Sequence, residues 1–155
     1  MTVTVWRIAA VTIRYSADDL SGAGAKASGG RWNSPGMALV YASESIALAV
    51  HETVVHLRSA GLPLNRYLVR IDIPEALWSA RQKLAAPAGW DAQPHGVPSV
   101  MAGDAWLKAA ASALLVVPSV IVPEERNVLI NPAHPDSAGV TATMLRRWDY
   151  DSRLF

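Results

Sequence analysis

Arg31, Tyr41 and Glu52 place a guanidinium, a phenol and a carboxylate within one short stretch of this chain. A fixed carboxylate can stabilise positive charge that develops in a reaction, an arginine fork can take a pair of anionic oxygens, and an aromatic ring can cover a flat cation. The residues around them dictate how they are spaced. Gly29-Gly30-Arg31-Trp32-Asn33-Ser34-Pro35-Gly36 is turn chemistry, and Met37 to Ala42 is a short apolar run bounded by Ser43. Ser43-Glu44-Ser45 then opens a run of helix formers through Glu52 to His56, with a capping hydroxyl and an early acid. The pattern predicts turn, strand and helix, with Arg31 before the strand, Tyr41 near its end and Glu52 in the helix. Side chains spread over such a unit can converge on one concave site.

The whole chain bounds what that site can be. At 155 residues it has room for one domain with a core of its own, spanning 1–155. Half of it is hydrophobic (51%) and only 17% is charged, which is a compact fold and neither a disordered nor a fibrous chain. There is no cysteine, so disulfides and thiolate metal sites are excluded, and a reducing compartment, the cytoplasm, is expected. Met1 to Trp6 lacks a basic leader, and no run approaches the roughly 20 apolar residues of a membrane span. A net charge of +1 leaves no electrostatic footprint for nucleic acid.

Taken in order, Val3 to Ile8 and Val11 to Tyr15 carry β-branched, alternating residues and predict extended structure delivering Arg14 and Tyr15 to an edge or end. Asp18 to Gly30 reads as a loop. Gly22-Ala23-Gly24-Ala25-Lys26-Ala27 matches a dinucleotide-binding pattern, but the strand and helix that such a motif needs are not predicted around it. In the helix after Ser43, Ile46, Val50, Thr53, Val54 and Leu57 form a core-facing stripe. Glu52 lies off it, with Leu48 and Val55 on the remaining side, so it is expected to be partly enclosed. His51 and His56 are five apart, which turns the second imidazole about 140° from the first and argues against a helical zinc site; no metal is expected. Gly61 to Leu64 is a turn, and Tyr67 to Pro74 alternates as a half-buried strand. Glu75 to Gly103 predicts connecting structure with one short helix, Asp104 caps a helix running through Trp106, Leu107, Ala110 and Leu114, and Pro118 within Val116 to Val122, with Pro123 just after it, predicts an edge or interrupted strand. A polar turn at Glu124 to Asn127 leads into Val128-Leu129-Ile130, a hairpin with Ser119 on one arm and Asn127 at the start of the other.

Gly29 to Asn33, Val40-Tyr41-Ala42, Glu52 with His56, Pro118-Ser119, Asn127 to Pro132 and the ending Trp148 to Leu154 together resemble the RES domain family, over most of the chain from Trp6 to Leu154. The arginine, glutamate and serine of its name match Arg31, Glu52 and Ser119. The resemblance implies an α+β fold similar to ADP-ribosyltransferase toxins, here a single domain with a mixed or antiparallel β core and flanking helices. It also implies a bacterial toxin paired with an Xre-like antitoxin protein, consuming NAD as co-substrate and passing ADP-ribose to water, phosphate or a protein.

The residues suit that chemistry. Breaking the nicotinamide–ribose bond creates an oxocarbenium-like transition state, which asks for a carboxylate beneath the sugar, and Glu52 is the acid in the organising stretch with the necessary seclusion. Arg31 and Arg14 can hold the pyrophosphate, and Tyr41, with Tyr15 or Trp32, can face the nicotinamide. Ser119 and Asn127 can orient the ribose or the amide. The catalytic set is then Glu52, Arg31, Tyr41 and Ser119, and the NAD-binding set Arg14, Tyr15, Arg31, Trp32, Tyr41 and Asn127. Two other readings stand beside a transferase acting on a cellular protein: an NAD glycohydrolase or phosphorylase without a protein target, and an inactive binding module of the same fold. The positively charged rim also predicts that the antitoxin occludes the NAD cleft.

Overall fold

The structure, a computed structural model, describes residues 1–57 and 62–155. The turn expected at Gly61 to Leu64 falls partly outside them. Seven strands form one sheet: β1 (Thr2–Ala10), β2 (Val40–Ser43), β3 (Arg66–Pro74), β4 (Gln82–Lys83), β5 (Leu114–Pro118), β6 (Arg126–Ile130) and β7 (Thr141–Arg147), in the order β4-β5-β6-β2-β1-β3-β7. Every neighbouring pair is antiparallel except β4 with β5. Among the described residues, four α-helices accompany it: α1 (Ala23–Ser28), α2 (Ile46–Val54), α3 (Glu75–Ser79) and α4 (Val97–Ala109). This is the α+β architecture with a mixed core and flanking helices that the sequence predicts. Among the described residues, no helix is long and apolar enough to cross a membrane.

The sheet has a seam. β1 and β3 pair along nine residues, and β2, β6 and β5 along four or five, but β1 meets β2 only at Trp6 opposite Ser43. Helix α2 packs over this seam. Its N-terminus is capped as its sequence predicts, although by Ser45, whose Oγ accepts the Leu48 N–H (3.1 Å), while Ser43 stays in β2. Ile46, Ala49, Val50, Val54 and Leu57 pack with Ile8, Leu68 and Tyr150. Leu48 is buried on the other side, so the helix is covered on two faces and Glu52, one turn on from Leu48, is half-buried.

Strand alternation sends residues of the hairpin β5–β6 to two cores: Val116, Val128 and Ile130 to one, Leu115, Val117 and Leu129 to the other. Burial on both faces makes these runs apolar almost throughout.

Several local expectations give way to tertiary structure. Only the first of the two N-terminal runs is a strand; at Thr12 the chain turns, the Thr12 Oγ1 accepting the N–H groups of Arg14 (3.2 Å) and Tyr15 (3.3 Å). The loop at Asp18 to Gly30 contains α1. Asp104 caps nothing: α4 begins eight residues before it would, at Val97, with Pro98 in its first turn, and Leu114 belongs to β5. β5 is not an edge strand, since the two-residue β4 lies outside it. Its proline is tolerated because β4 pairs only with Leu115 and Val116 and stops short of Pro118.

α4 docks on the Gly29 to Gly36 turn at Gly103, where an added Cβ would lie 1.7 Å from the Trp32 carbonyl oxygen. Gly to Ala inside a helix ordinarily stabilises by up to about 1 kcal/mol. Here the sign reverses: Gly103→Ala forces helix and turn apart, and urea unfolding is expected to show a loss of about 1 to 3 kcal/mol, the usual cost of overpacking.

Candidate active site

Glu52 is held by the hairpin and by the end of β2. Its Oε1 accepts two hydrogen bonds, from Ser119 Oγ and from Asn127 Nδ2, both at 2.7 Å. The direction of each is forced. Ser119 Oγ already accepts the N–H groups of Ile121 (3.1 Å) and Val122 (3.2 Å), so its one proton points at the carboxylate. The Asn127 amide is oriented from behind by Ser43 Oγ, which donates to its Oδ1 at 2.8 Å. Ser119 follows β5 directly, and its own N–H closes the hairpin on the Glu125 carbonyl (3.0 Å). Among the described residues no protein donor meets Oε2. One carboxylate oxygen is thus anchored and the other is left for a ligand.

Arg31 lies within electrostatic reach of that carboxylate. Burial lowers its guanidinium below the ordinary arginine value, and Glu52, ahead of Asp91 and Tyr41, pulls it back up; it remains a cation. Its Nη1 donates to the carbonyls of Trp90 (2.8 Å) and Ala92 (2.9 Å), which ties the loop before α4 to the turn. The Nε and Nη2 side meets no acceptor among the described residues, and that edge of a guanidinium is the fork suited to a pair of phosphate oxygens.

Tyr41 acts on the turn that carries Arg31. Its hydroxyl donates to Asn33 Oδ1 (2.6 Å) and accepts the Trp32 N–H (3.0 Å), and burial pushes its pKa far up, so it is a neutral phenol. It fills the space where Gly30 lacks a side chain: a Cβ there would come 2.7 Å from the phenol oxygen. Asn33 completes the knot by donating to the carbonyls of Ala25 and Met37, each at 2.9 Å, and Asp104 clamps the next residue by accepting from the Ser34 N–H (2.9 Å) and hydroxyl.

The structure therefore brings Glu52, Ser119 and Asn127 into direct contact, with Arg31 and Tyr41 beside them. Trp32 is in the core at 2% exposure, stacked on Trp90 with centroids 6.2 Å apart; it gives the turn its backbone groups and packing, not an open ring face. Arg14 is exposed on the turn after β1, and Tyr15 lies against α1 and near Arg7; no hydrogen bond or ion pair joins either to Glu52 or Arg31. His51 and His56 are exposed, the His51 ring bonding the Ala47 carbonyl (2.8 Å), and among the described residues no three His, Asp or Glu gather as a metal site needs. Ser43, Asn33, Asp104 and Trp90 are the supporting residues that sequence reasoning missed. Asn33 stands in the turn motif, but nothing local marks the other three.

Tyr41→Phe leaves the buried Trp32 N–H and Asn33 Oδ1 without their partner and is expected to cost about 1 to 3 kcal/mol in urea unfolding. The pH signature is separate. Because the folded pKa is raised, Tyr41 contributes stability that is complete below its ordinary value of 10.0 and lost as pH rises beyond it, as the unfolded chain ionises first. The Phe variant should lack that part of the alkaline loss.

Comparison with known proteins places this chain in a family. The sequence model of the RES domain matches residues 4–152. The chain is 55% identical over 157 residues to a protein of Sphingobium sp. (strain YBL2) named Prs ADP-ribosylating toxin, covering 99% of this chain and 98% of that one. It is 38% identical to Toxin Res of Photorhabdus laumondii, covering 91% of each, and 35% identical to Toxin Res of Pseudomonas putida, covering 97% and 99%. With a family match across nearly its whole length, and a carboxylate, an arginine and a serine gathered at one seam of the sheet, the chain belongs to the RES domain family of toxins.

Proposed function

We propose that this protein binds NAD as co-substrate, cleaves the nicotinamide–ribose bond and transfers ADP-ribose to a protein acceptor, acting as a toxin in the cytoplasm of the cell whose growth it arrests. The observation that carries this reading is the half-committed carboxylate of Glu52, with Oε1 anchored by Ser119 and Asn127 and Oε2 meeting no protein donor among the described residues. The relative named as an ADP-ribosylating toxin supports it.

In this mechanism the Arg31 fork takes the pyrophosphate, and Glu52 Oε2 accepts a hydrogen bond from a ribose hydroxyl. As the bond from C1′ to the nicotinamide nitrogen breaks, its electron pair leaves with nicotinamide, and positive charge spreads over C1′ and the ring oxygen. A carboxylate already fixed in place stabilises that charge without reorganising. The acceptor's nucleophile then bonds C1′ and gives up its proton. Incubation with labelled NAD and a cell lysate tests the acceptor: label in a protein band is expected, while label ending only in free ADP-ribose or its phosphate would favour a glycohydrolase or phosphorylase.

Glu52→Gln is near-isosteric and should stay folded, yet nicotinamide release is expected to drop by about a hundredfold or more. Release within a few-fold of the parent, from folded protein, would remove Glu52 from the mechanism. Arg31→Lys keeps the charge and loses the fork, so calorimetry should show NAD affinity weakened by about 1.5 to 3 kcal/mol, roughly tenfold to a hundredfold.

The same fork suggests the partner. An enzyme that consumes NAD endangers its own cell as soon as it folds, so we propose an Xre-like antitoxin that places a carboxylate-bearing segment in the NAD site and pairs with Arg31. With turnover blocked by Glu52→Gln, saturating NAD is expected to weaken antitoxin binding; unchanged affinity would place the antitoxin elsewhere.

A further inference from the structure

The reverse face of the hairpin bears a concavity of about 380 Å³. Its apolar floor is formed by Trp78, Ala86 and Pro118 with the buried Val116 and Val128, and these two valines point away from the face that carries Val117 and Asn127. Arg81, Lys83 and Arg126 stand around it. Among the described residues none of these three cations is within ion-pair distance of a carboxylate. They are nevertheless placed. The Arg81 guanidinium lies 4.3 Å over the Trp78 ring centroid and donates to the Trp78 carbonyl (2.8 Å). Arg126 spends only Nη1 on the carbonyls of Pro123 (2.9 Å) and Glu125 (3.2 Å). Lys83 sits opposite Val116 in the parallel pair of β4 and β5, which fixes the face it projects from. One acid lines the cavity, Glu44, and its Oε1 accepts the Arg126 backbone N–H (3.0 Å). Three cations thus face one carboxylate across an apolar floor.

We propose that this cleft is a second ligand site, taking a small phosphate ester of the mononucleotide class. Its volume is that of a small-molecule pocket and too small for a folded partner. A phosphate group offers several oxygens in different directions, which suits two cations from the α3–β4 segment, Arg81 and Lys83, converging with Arg126 from β6, whereas a lone carboxylate would satisfy only one fork. The apolar floor receives the uncharged body of the ligand. Nothing in the site uses Glu52 or Arg31, so it is distinct from the NAD site and does not depend on the activity proposed for it.

Acetylation of lysines, read residue by residue by mass spectrometry on the whole chain, tests the assignment with ADP as probe. Lys83 is expected to react at least fivefold more slowly under saturating ADP, while Lys26 and Lys108 keep their rates and serve as internal references. Arg81→Gln, checked for folding by circular dichroism, should remove the protection. Equal Lys83 rates with and without ADP in the parent protein would overturn the site. Protection by inorganic pyrophosphate as strong as that by ADP would overturn the nucleotide assignment, because the floor would then contribute nothing.

Discussion

A carboxylate drawn partly out of water must have its oxygens met, and most of the architecture around Glu52 follows from that requirement. Ser119 and Asn127 meet one oxygen, and each can do so only because something else fixes it: two backbone N–H groups for the serine, the Ser43 hydroxyl for the asparagine. The chain of constraints ends in the backbone, at the point where β2 touches β1 through a single residue pair, Trp6 and Ser43. Among the described residues this network leaves one acceptor of Glu52 without a protein donor, Oε2. In the proposed mechanism this oxygen stands ready before the substrate arrives.

Arg31 is positioned by a different route. It lies on a turn too short to hold itself, and the fold supplies the missing rigidity from three sides. Tyr41 reaches up from β2, Asn33 ties the turn to α1 and to the entry of β2, and α4 presses its Gly103 against the Trp32 carbonyl while Asp104 binds Ser34. The guanidinium in turn holds the loop at Trp90 to Ala92. A ligand that takes the remaining fork of Arg31 therefore meets a side chain whose orientation is already restrained, which lowers the entropic cost of binding.

What could be read from the sequence divides along these lines. Helix α2, β3 and the hairpin were legible because their signals are local: an Ile46, Val50, Val54 period behind a capping serine, alternation from Tyr67 to Ile73, and apolar runs around a polar turn. The resemblance pointed to Glu52, Arg31 and Ser119, and the structure sets Ser119 against Glu52 with Arg31 within electrostatic reach. β7 was not, because Thr141 to Arg147 is an edge strand exposed along nearly all its length and so shows no alternation of burial. Asp104 misled, since an acid before an apolar run looks like a cap, while the better sign of where α4 begins was Pro98. The roles of Ser43, Gly103 and Trp90 are tertiary, and no local pattern encodes a carbonyl from a distant turn lying against a helix.

The hairpin links the Glu52 network and the reverse cleft through the period of a strand. Each residue that holds or orients Glu52 is followed or preceded in the chain by one that lines the reverse cleft: Ser43 by Glu44, Ser119 by Pro118, Asn127 by Arg126. Alternation makes this arrangement obligatory once the register is set, because neighbours in a strand face opposite sides. The register is set by burial on both faces, Val116 and Val128 on one, Val117 and Leu129 on the other, and a slip by one residue would exchange all four. It would also turn Asn127 away from Glu52 and send Arg126 into its place. The apolar residues of the hairpin thus decide which side of the sheet presents amides to a carboxylate and which presents cations to an anion.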